Sequence, residues 1–372
     1  MKTVNNKLCV ILNLAPHYRK AIYKAIDNNF ECEWFVGDKV DDIKTLSPNE
    51  FKSCTIIQNK KIYKDNYVQV GMIRLLLNKR YNTFLITGDI RNISLWFFLL
   101  LSKLLRKKRV YTWTHGYNGK GGRLSNILKK FFANLSDGIF LYGDYARNHM
   151  IASGISPKKL FVIHNSLDYD NHITCRNNLH QTNIYNNHFG NTNKNLIFIG
   201  RLTTVKRLDL LIEAVNQLGE RGEYYNVILV GDGVERENLE KLVRKCNIQD
   251  RVWFFGESYD ELKIAELIYN ADLCVSPGNV GLTAMHSLVY GTPVATHNNL
   301  RQQMPEFEAV KDGITGVYFN HQDSVSIANA INKWFSEFGD KREFIRNNCM
   351  QEIDLNWTPK YQIDKLKKHI NL

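Results

Sequence analysis

The chain has 372 residues, of which 44% are hydrophobic and 23% are charged, and its formal net charge is +12. This length suits two domains, and the composition is that of a soluble globular protein. The longest apolar stretch, Ile93–Leu105, is well short of the roughly 20 residues that span a bilayer, which excludes a transmembrane helix. Polar Met1–Lys7 and the short run Leu8–Leu14 exclude a secretory signal. Seven scattered cysteines without a CxxC pair argue against disulfides or a zinc site and favour a reducing cytoplasm.

The positive charge lies in the first half of the chain. Residues 1–190 contain 28 Lys/Arg and 13 Asp/Glu, whereas residues 191–372 contain 21 and 24. The net charge is therefore +15 for residues 1–190 and −3 for residues 191–372. This asymmetry favours an anionic partner for the first half, either membrane headgroups, a phosphate-bearing acceptor or nucleic acid. A solvated basic surface is the alternative.

Strands and helices alternate along the first 170 residues, a pattern typical of a parallel sheet with helices on both faces. We therefore predict a doubly wound domain over residues 1–170. Its predicted strands are Leu8–Leu14, Glu33–Val36, Thr83–Thr87, Val110–Trp113, Ile139–Leu141 and Leu160–Ile163. Its predicted helices are His17–Asn28, Val68–Arg80, Asn92–Leu105, Leu124–Asn134 and Tyr145–Ala152.

Residues 171–194 are crowded with Asn and His and lack periodicity, so we predict an interdomain linker. A second doubly wound domain is predicted over residues 195–354, and a helix over 355–372 can return to the first domain. We expect the two domains to face a cleft in which ligands bind at the carboxyl ends of the strands. The second domain's predicted strands are Leu196–Ile199, Val227–Val230, Val252–Phe255, Leu273–Ser276 and Pro293–Thr296, and its helices are Arg207–Gln217, Arg236–Cys246, Asp260–Asn270 and Thr283–Tyr290.

Two strand–loop–helix segments of the second domain are suited to a phosphate group. Gly200–Lys206 follows a predicted strand and places two cations, Arg201 and Lys206, in one loop. Arginine binds a diphosphate bidentately, and lysine adds a compact point charge. Ser276–His286 contains a glycine loop before a helix, whose backbone N–H groups and dipole favour an anion. An ordinary basic loop and an ordinary strand–helix corner are the alternatives.

The motifs of the second half resemble, in type and order, the donor domain of the retaining glycosyltransferases of family 4, which have the GT-B fold. The resemblance covers roughly residues 110–320. It is carried by Gly200/Arg201/Lys206, Gly231-Asp232-Gly233, Val252-Trp253-Phe254-Phe255-Gly256, Ser276-Pro277, Gly281-Leu282 and Gly291-Thr292-Pro293-Val294, preceded by Asn165-Ser166-Leu167-Asp168.

The resemblance implies a role for each matching position. Arg201 and Lys206 would hold the donor diphosphate, and His115 would face the donor sugar; these three are the predicted catalytic residues. The donor-binding residues would be Gly200, Phe255, Gly256, Asn279, Gly281, Leu282, Thr283 and His286.

The sequence departs from the family where a Glu-x7-Glu pair is expected. The two glutamates fall on Gly278 and His286. His286 can still hydrogen-bond ribose hydroxyls through a ring nitrogen, and Asn279 can replace some contacts of the first glutamate. A later Pro-Glu loop of the family aligns with either Glu306 or Glu308, depending on which neighbouring motif is matched.

No metal or cofactor is predicted. Asp168-Tyr169-Asp170 spells the DxD metal motif of another glycosyltransferase fold, but it lies at a domain boundary and we interpret it as chance. Gly231-Asp232-Gly233 lacks the third glycine of a dinucleotide-binding fingerprint, because Arg236 occupies that position. A nucleotide diphosphate sugar is a substrate in this interpretation.

These features and the resemblance together predict a cytoplasmic hexosyl- or deoxyhexosyltransferase that acts on a glycan or polyprenyl-diphosphate-linked acceptor in bacterial surface polysaccharide synthesis. Retention at the transferred sugar is what the resemblance implies. The first loop supplies the acceptor-side residues His17, Tyr18 and Arg19. An anionic membrane surface, met through Ile93–Leu105 and the basic run Arg106–Arg109, is a further predicted partner; nucleic acid is not. The alternatives are a nucleotide-sugar epimerase of the same architecture and a non-catalytic nucleotide-sugar-binding protein.

Overall fold

The computed structural model describes residues 7–38, 44–105, 107–116 and 123–370. It divides into two compact units: unit 1 comprises Met1–Asp168 and Thr358–Leu372, and unit 2 comprises Tyr169–Trp357. In the described ranges, no helix is both long enough and apolar enough to cross a membrane.

Unit 1 is built on a seven-stranded parallel sheet with strand order β3-β2-β1-β6-β7-β8-β9. Two apolar clusters, one containing Trp34 and the other Phe84 and Phe98, form most of the unit's core. The strands are β1 Lys7–Leu12, β2 Cys32–Gly37, β3 Cys54–Ile57, β4 Asn59–Tyr63, β5 Asn66–Gln69, β6 Tyr81–Thr87, β7 Arg109–Thr114, β8 Gly138–Leu141 and β9 Leu160–Val162. The helices are α1 Lys20–Asn29, α2 Met72–Leu77, α3 Ile93–Leu104, α4 Arg123–Leu135 and α5 Asp144–Ala152.

The helix predicted over Val68–Arg80 is wrong in its first part. Residues Asn59–Gln69 form an antiparallel hairpin, β4 with β5, and α2 begins only at Met72. Gly71 separates the two elements with a φ of +84°, a conformation that glycine adopts without strain and that ends the strand. The apolar residues Val68 and Leu75 to Leu77 mimic one helical period across this break, which is why the pattern misled.

Unit 2 contains a six-stranded parallel sheet with strand order β12-β11-β10-β13-β14-β15. Its strands are β10 Lys194–Ile199, β11 Tyr225–Val230, β12 Val252–Gly256, β13 Leu273–Ser276, β14 Val294–His297 and β15 Gly316–Phe319. Its helices are α6 Tyr169–Arg176, α7 Ile184–Phe189, α8 Leu208–Glu220, α9 Arg236–Lys245, α10 Glu261–Asn270, α11 Leu282–Val289, α12 Ser324–Phe338 and α13 Arg342–Asn356.

Residues 171–194, predicted as a linker, contain α6 and α7 and belong to unit 2. His172, Cys175 and Tyr185 are buried, and the Tyr185 hydroxyl donates to the backbone oxygen of Leu267 at 2.6 Å. Few side chains of the segment are apolar, but these three point inward. Composition alone therefore underestimated how well the segment packs.

The last helix, α14 Pro359–His369, belongs to unit 1. Gln362 is fully buried there; its side-chain amide donates to the backbone oxygen of His164 at 2.8 Å and accepts from the Ser166 hydroxyl at 2.6 Å. Buried polar groups need such partners, so these two bonds fix the helix against the end of the first segment of unit 1.

Candidate functional site

The loop after β10 holds Lys206 in a position that is largely withdrawn from solvent. The Lys206 ammonium donates to the backbone oxygen and to the side-chain oxygen of Asn279, both at 2.8 Å. Burial lowers the pKa of Lys206; the negative charge of Glu306 opposes this effect, and the positive charge of Arg201 adds to it. Arg201 is exposed and forms no ion pair with the described residues. Two cations thus lie in one loop with acceptors for only one of them.

The loop after β13 lies directly against this lysine loop. The Gly278 N–H donates to the backbone oxygen of Lys206 at 2.9 Å, and a Cβ atom at position 278 would lie 2.0 Å from the backbone oxygen of Val205. No real side chain tolerates that contact. The backbone around Gly278 therefore leaves no room for the glutamate side chain that the Glu-x7-Glu pair would place there.

Neighbouring strand ends approach one another in the same way. A Cβ atom on Gly231 would lie 2.0 Å from the backbone oxygen of Gly200, and one on Gly233 would lie 2.4 Å from that of Leu202. Gly231 and Gly233 also have φ angles of +137° and +156°. The glycines of Gly-Asp-Gly thus serve close loop packing, which explains the motif without a dinucleotide.

The predicted donor-binding residues Gly281, Leu282 and Thr283 lie in the loop after β13 and in the first turn of α11. Gly281 has a φ of +48° and precedes the helix, whose first residue is Leu282. The Thr283 hydroxyl donates to the backbone oxygen of Ile199, the last residue of β10, at 2.9 Å. The Gln303 side chain, which the sequence analysis did not identify, accepts from the Val280 N–H at 2.9 Å and so supports the loop. Lys206, Asn279 and the start of α11 are therefore brought together.

Phe255 and Gly256 lie at the end of β12, an edge strand. Gly256 has a φ of +90° and its backbone oxygen accepts from the Gly231 N–H at 2.8 Å. Both residues are partly exposed, and Phe255 contacts Trp253 with ring centroids 5.2 Å apart. They lie at the carboxyl end of this strand, as the resemblance implies. Their contact with a nucleobase stays a prediction.

The structure distinguishes the two glutamates that the sequence analysis could not separate. Glu306 is only 2% exposed and acts electrostatically on Lys206, whereas Glu308 is partly exposed and acts on Tyr318. Glu306 is therefore the carboxylate that belongs with the lysine loop. The alignment on Pro305 would have identified it, but spacing alone gave no reason to prefer that alignment.

His286 is engaged by a residue that the sequence analysis missed. Its Nε2 lies 2.8 Å from Glu261 Oε1, and Nε2 of buried His172 lies 3.6 Å from the same oxygen. Burial alone would raise the pKa of Glu261, but His286, Tyr290 and His172 together lower it to about 2. Burial and the neighbouring His286 lower the pKa of His172 to about 4. The ribose contact of His286 stays a prediction.

Unit 1 has a pocket of about 350 Å³ at the carboxyl ends of β1, β6 and β7. Arg19 lines it, with the guanidinium carbon 4.4 Å from the ring centroid of Trp113 and 4.9 Å from that of Tyr142. The Nε and Nη2 atoms of Arg19 are buried and have no hydrogen-bond partner in the described part of the chain. Burial opposes the charge, yet the hydroxyls of Tyr142, Tyr23 and Tyr18 raise the pKa of Arg19.

Two other predicted residues, Tyr18 and His115, line this pocket as well. His115 is exposed, and its ring contacts that of Tyr142 at 4.6 Å between centroids; desolvation and the Arg19 charge lower the pKa of His115. His17 is exposed and its Nδ1 lies 3.2 Å from the backbone oxygen of Lys44, and it does not line the pocket. Tyr18, Arg19 and His115 are thus brought together, and His17 is not.

The two aspartates of the DxD triplet lie on either side of the chain boundary between the two units. Asp168 and Asp170 are both exposed, Asp168 ends the first segment of unit 1, and Asp170 lies in the first turn of α6. Neither belongs to a group of three possible metal ligands among those residues. The only such group there is His172, Glu261 and His286.

Comparison with solved structures establishes the fold. The chain superposes on HepE of Anabaena, crystallised with UDP, with a TM-score of 0.72, 17% identity, and coverage of 97% of this chain and 98% of HepE. It superposes on the lipopolysaccharide outer core galactosyltransferase WaaB in its apo form with a TM-score of 0.73, 14% identity, and coverage of 98% and 100%. The predicted two-domain α/β GT-B fold is confirmed.

Sequence comparison identifies part of unit 2. Residues 181–350, which are less than half of this chain, match the family "Glycosyl transferases group 1". An uncharacterized glycosyltransferase of Methanocaldococcus jannaschii is 30% identical over 179 residues, which are 47% of this chain and 43% of that protein. Alpha-D-kanosaminyltransferase of Streptomyces kanamyceticus is 26% identical over 143 residues, which are 37% of this chain and 35% of that protein. The chain spans less than half the length of these curated relatives.

The closed space at position 278 leads to a test of stability. We expect Gly278→Ala and Gly278→Glu to lower the free energy of unfolding by about 1–3 kcal/mol or more, because the new Cβ forces the two loops apart. Thermal melts of the purified variants measure the effect. Gly190→Ala is the control: its φ is +66° but nothing lies within 4 Å of the new Cβ, so only the cost of about 1 kcal/mol for the backbone applies. A wild-type melting temperature for Gly278→Ala would contradict the steric explanation.

Proposed function

We propose that this protein is a glycosyltransferase that transfers a hexosyl or deoxyhexosyl group, with retention, from a nucleotide diphosphate sugar to an anionic acceptor. The observation that carries the proposal is the pair of cations, exposed Arg201 and half-buried Lys206, in the loop after β10 within the segment that matches the group 1 family. The UDP and UDP-glucose complexes of HepE support a nucleotide-sugar donor.

The positive charges of Arg201 and Lys206 suit a departing diphosphate. Lys206 is held by Asn279 and can move its donors to a phosphate oxygen, and Arg201 is free to bind a second one. Both charges then oppose the negative charge that grows on the diphosphate as the glycosidic bond breaks, which is usually the largest contribution to such catalysis. In a same-face reaction the departing phosphate oxygen takes the proton of the acceptor hydroxyl, so no carboxylate base is needed at position 278.

The cation pair leads to a kinetic test. Arg201→Ala and Lys206→Ala should each lower kcat/KM by about 10²- to 10³-fold, the size of losing one strong stabiliser of transition-state charge. Transfer is measured with a panel of nucleotide sugars and acceptors. Lys241→Ala removes an exposed charge from α9 of the same unit and should leave kcat/KM unchanged. Wild-type turnover in either loop variant would overturn the assignment.

The pocket of unit 1 supports the choice of an anionic acceptor. A buried guanidinium without a carboxylate partner is costly, and arginine is suited to binding a phosphate or carboxylate through two parallel hydrogen bonds. The unpartnered Nε and Nη2 of Arg19 can supply these donors. We therefore propose that Arg19 binds the phosphate of a glycan or polyprenyl-diphosphate-linked acceptor in the pocket that His115 also lines. The name of WaaB supports, by analogy, an acceptor from cell-surface polysaccharide synthesis.

Acceptor charge can be tested separately from the donor. Arg19→Lys, which keeps the charge but loses the planar pair of donors, should raise the KM for phosphate-bearing acceptors about 10- to 100-fold and leave the donor KM unchanged. The comparison uses sugar phosphates, polyprenyl diphosphate sugars and uncharged glycosides as acceptors. Lys24→Ala, an exposed charge on α1, is the matched control. A preference for uncharged glycosides, or an unchanged acceptor KM in Arg19→Lys, would remove Arg19 from the acceptor site.

The two alternative functions are separated by the same assays. An epimerase converts the donor without any acceptor, and a binding protein shifts its melting temperature with the donor but turns nothing over. The proposed transferase requires both substrates. Half-buried Lys206 favours the transferase over the binding protein. A protein that only binds the donor gains little from a cation placed where negative charge grows on the departing diphosphate.

A second observation supports contact with a membrane surface. One face of α3 packs into the core through Leu95, Phe98 and Leu99, but the opposite face is also apolar and lies in solvent, with Phe97 59% and Leu104 77% exposed. Further exposed apolar residues on α3 and α4 are Leu100, Leu101, Ile127, Leu128 and Phe131. Packing against the core therefore explains the apolar residues on one face of α3 but not those on the opposite face.

Basic residues border this apolar face. Lys107 and Arg109 are exposed beyond the end of α3, and Arg106, the first residue of the predicted basic run, lies outside the described residues. Exposed apolar side chains beside cations suit peripheral binding to anionic lipid, to which each Lys or Arg near the surface contributes about 1 kcal/mol. We propose that this face of unit 1 docks on an anionic membrane and so brings lipid-linked acceptors within reach.

Vesicle co-sedimentation tests the docking proposal. Binding should require anionic lipid, weaken as salt rises, and fall both in Lys107→Ala/Arg109→Ala and in Phe97→Ser/Leu104→Ser. Lys60→Ala/Lys61→Ala removes two exposed charges of β4 and should bind like wild type. Equal binding to neutral and anionic vesicles, or to neither, would overturn electrostatic docking.

A further inference from the structure

Three possible metal ligands from three helices of unit 2 meet at one point. His172 lies on α6, Glu261 begins α10, and His286 lies on α11. The carboxylate oxygen Oε1 of Glu261 lies 2.8 Å from His286 Nε2 and 3.6 Å from His172 Nε2. One ligand atom from each residue lies within 4.8 Å of the other two. The three side chains are therefore close enough to share a single ion.

The separations fit tetrahedral coordination. Zinc binds imidazole nitrogen and carboxylate oxygen at about 2.0–2.2 Å, which places neighbouring ligand atoms about 3.4 Å apart in a tetrahedron. The two distances to Glu261 Oε1, 2.8 and 3.6 Å, lie on either side of that value. Small side-chain movements are sufficient to reach it. Two histidines and one glutamate are also a recurrent zinc ligand set, in which a fourth position stays open to water or another ligand.

The surroundings favour an ion over a simple hydrogen-bonded cluster. His172 is buried, and Glu261 and His286 are half-buried. The Tyr290 hydroxyl donates to the same Glu261 oxygen at 2.5 Å, so three groups converge on one atom of the carboxylate. Each imidazole Nε2 can donate to the carboxylate when it is protonated or bind an ion when it is not, and both nitrogens lie at the short distances from one oxygen that a shared ion requires. Tyr290 then orients the carboxylate from outside the ligand shell, as partners of metal ligands commonly do.

We propose that His172, Glu261 and His286 bind one divalent transition-metal ion, for which Zn²⁺ is the natural candidate. The ion joins α6, the first helix of unit 2, to α10 and α11. Cysteine spacing gave no sign of it, because the ligands are two histidines and a glutamate that lie far apart in the sequence. His286 Nε2 cannot serve the ion and a ribose hydroxyl together, so this role replaces the ribose contact that the family resemblance implies.

The test is a direct binding measurement on the untagged full chain, stripped of metal by chelator and then titrated with Zn²⁺ by calorimetry. We expect one tight equivalent per chain and a rise in melting temperature on binding. His172→Ala, His286→Ala and Glu261→Gln should each weaken binding at least about tenfold. Co²⁺ added to the wild-type chain should give a visible absorption spectrum at one equivalent that Zn²⁺ abolishes. This measurement needs no variant and so does not depend on how well the variants fold.

The matched control is His321→Ala. His321 pairs with His297 at 4.4 Å between ring centroids, but no carboxylate joins them in a group of three in the described ranges. This variant should bind Zn²⁺ like wild type. The proposal is overturned if the wild-type chain has no stoichiometric site, if His172→Ala and His286→Ala keep it, or if His321→Ala loses it. None of these measurements uses a sugar nucleotide, so failure here leaves the transferase proposal untouched.

Discussion

The close approach of backbone to backbone at the strand ends of unit 2 is the constraint on which the candidate donor site depends. Gly278 lies against Val205 and Lys206, and Gly231 lies against Gly200, each at a separation that admits no Cβ atom. Because these loops touch, Lys206 reaches Asn279 and α11 begins beside the end of β10. The burial of Lys206 and the lack of space for a side chain at position 278 both depend on that contact.

The close contact also changes how a lost motif should be interpreted. A missing glutamate suggests degeneration when only the sequence is considered. In the structure, the space for it has been filled by the neighbouring loop, while Glu306 supplies a buried carboxylate that acts on the same lysine. The carboxylate near Lys206 thus comes from the segment after β14, 28 residues beyond the expected position.

The sequence predicted the parts of the fold that depend on local periodicity. Most strands from Lys7–Leu12 to Val294–His297 follow apolar runs and were predicted within a few residues of their bounds, whereas β3, β15, α12 and α13 were not predicted. The hairpin before α2 was missed because Gly71 breaks a run whose apolar spacing still imitates a helix. The segment 171–194 was misjudged because a few inward-pointing side chains, such as Tyr185, anchor helices that are otherwise polar. The meeting of His172 with Glu261 and His286 depends on tertiary packing, which no spacing in the sequence encodes.

The return of α14 to unit 1 has a consequence for how the molecule is made. Unit 2 is one uninterrupted segment, whereas unit 1 is completed only by residues near the carboxyl terminus. During synthesis from the ribosome, unit 2 therefore emerges whole while its neighbour still lacks a helix. Gln362, which forms hydrogen bonds with the Ser166 hydroxyl and the His164 carbonyl oxygen, is translated almost two hundred residues after them. A stop codon before Gln362 would consequently remove both hydrogen bonds from unit 1, most of which is translated before unit 2.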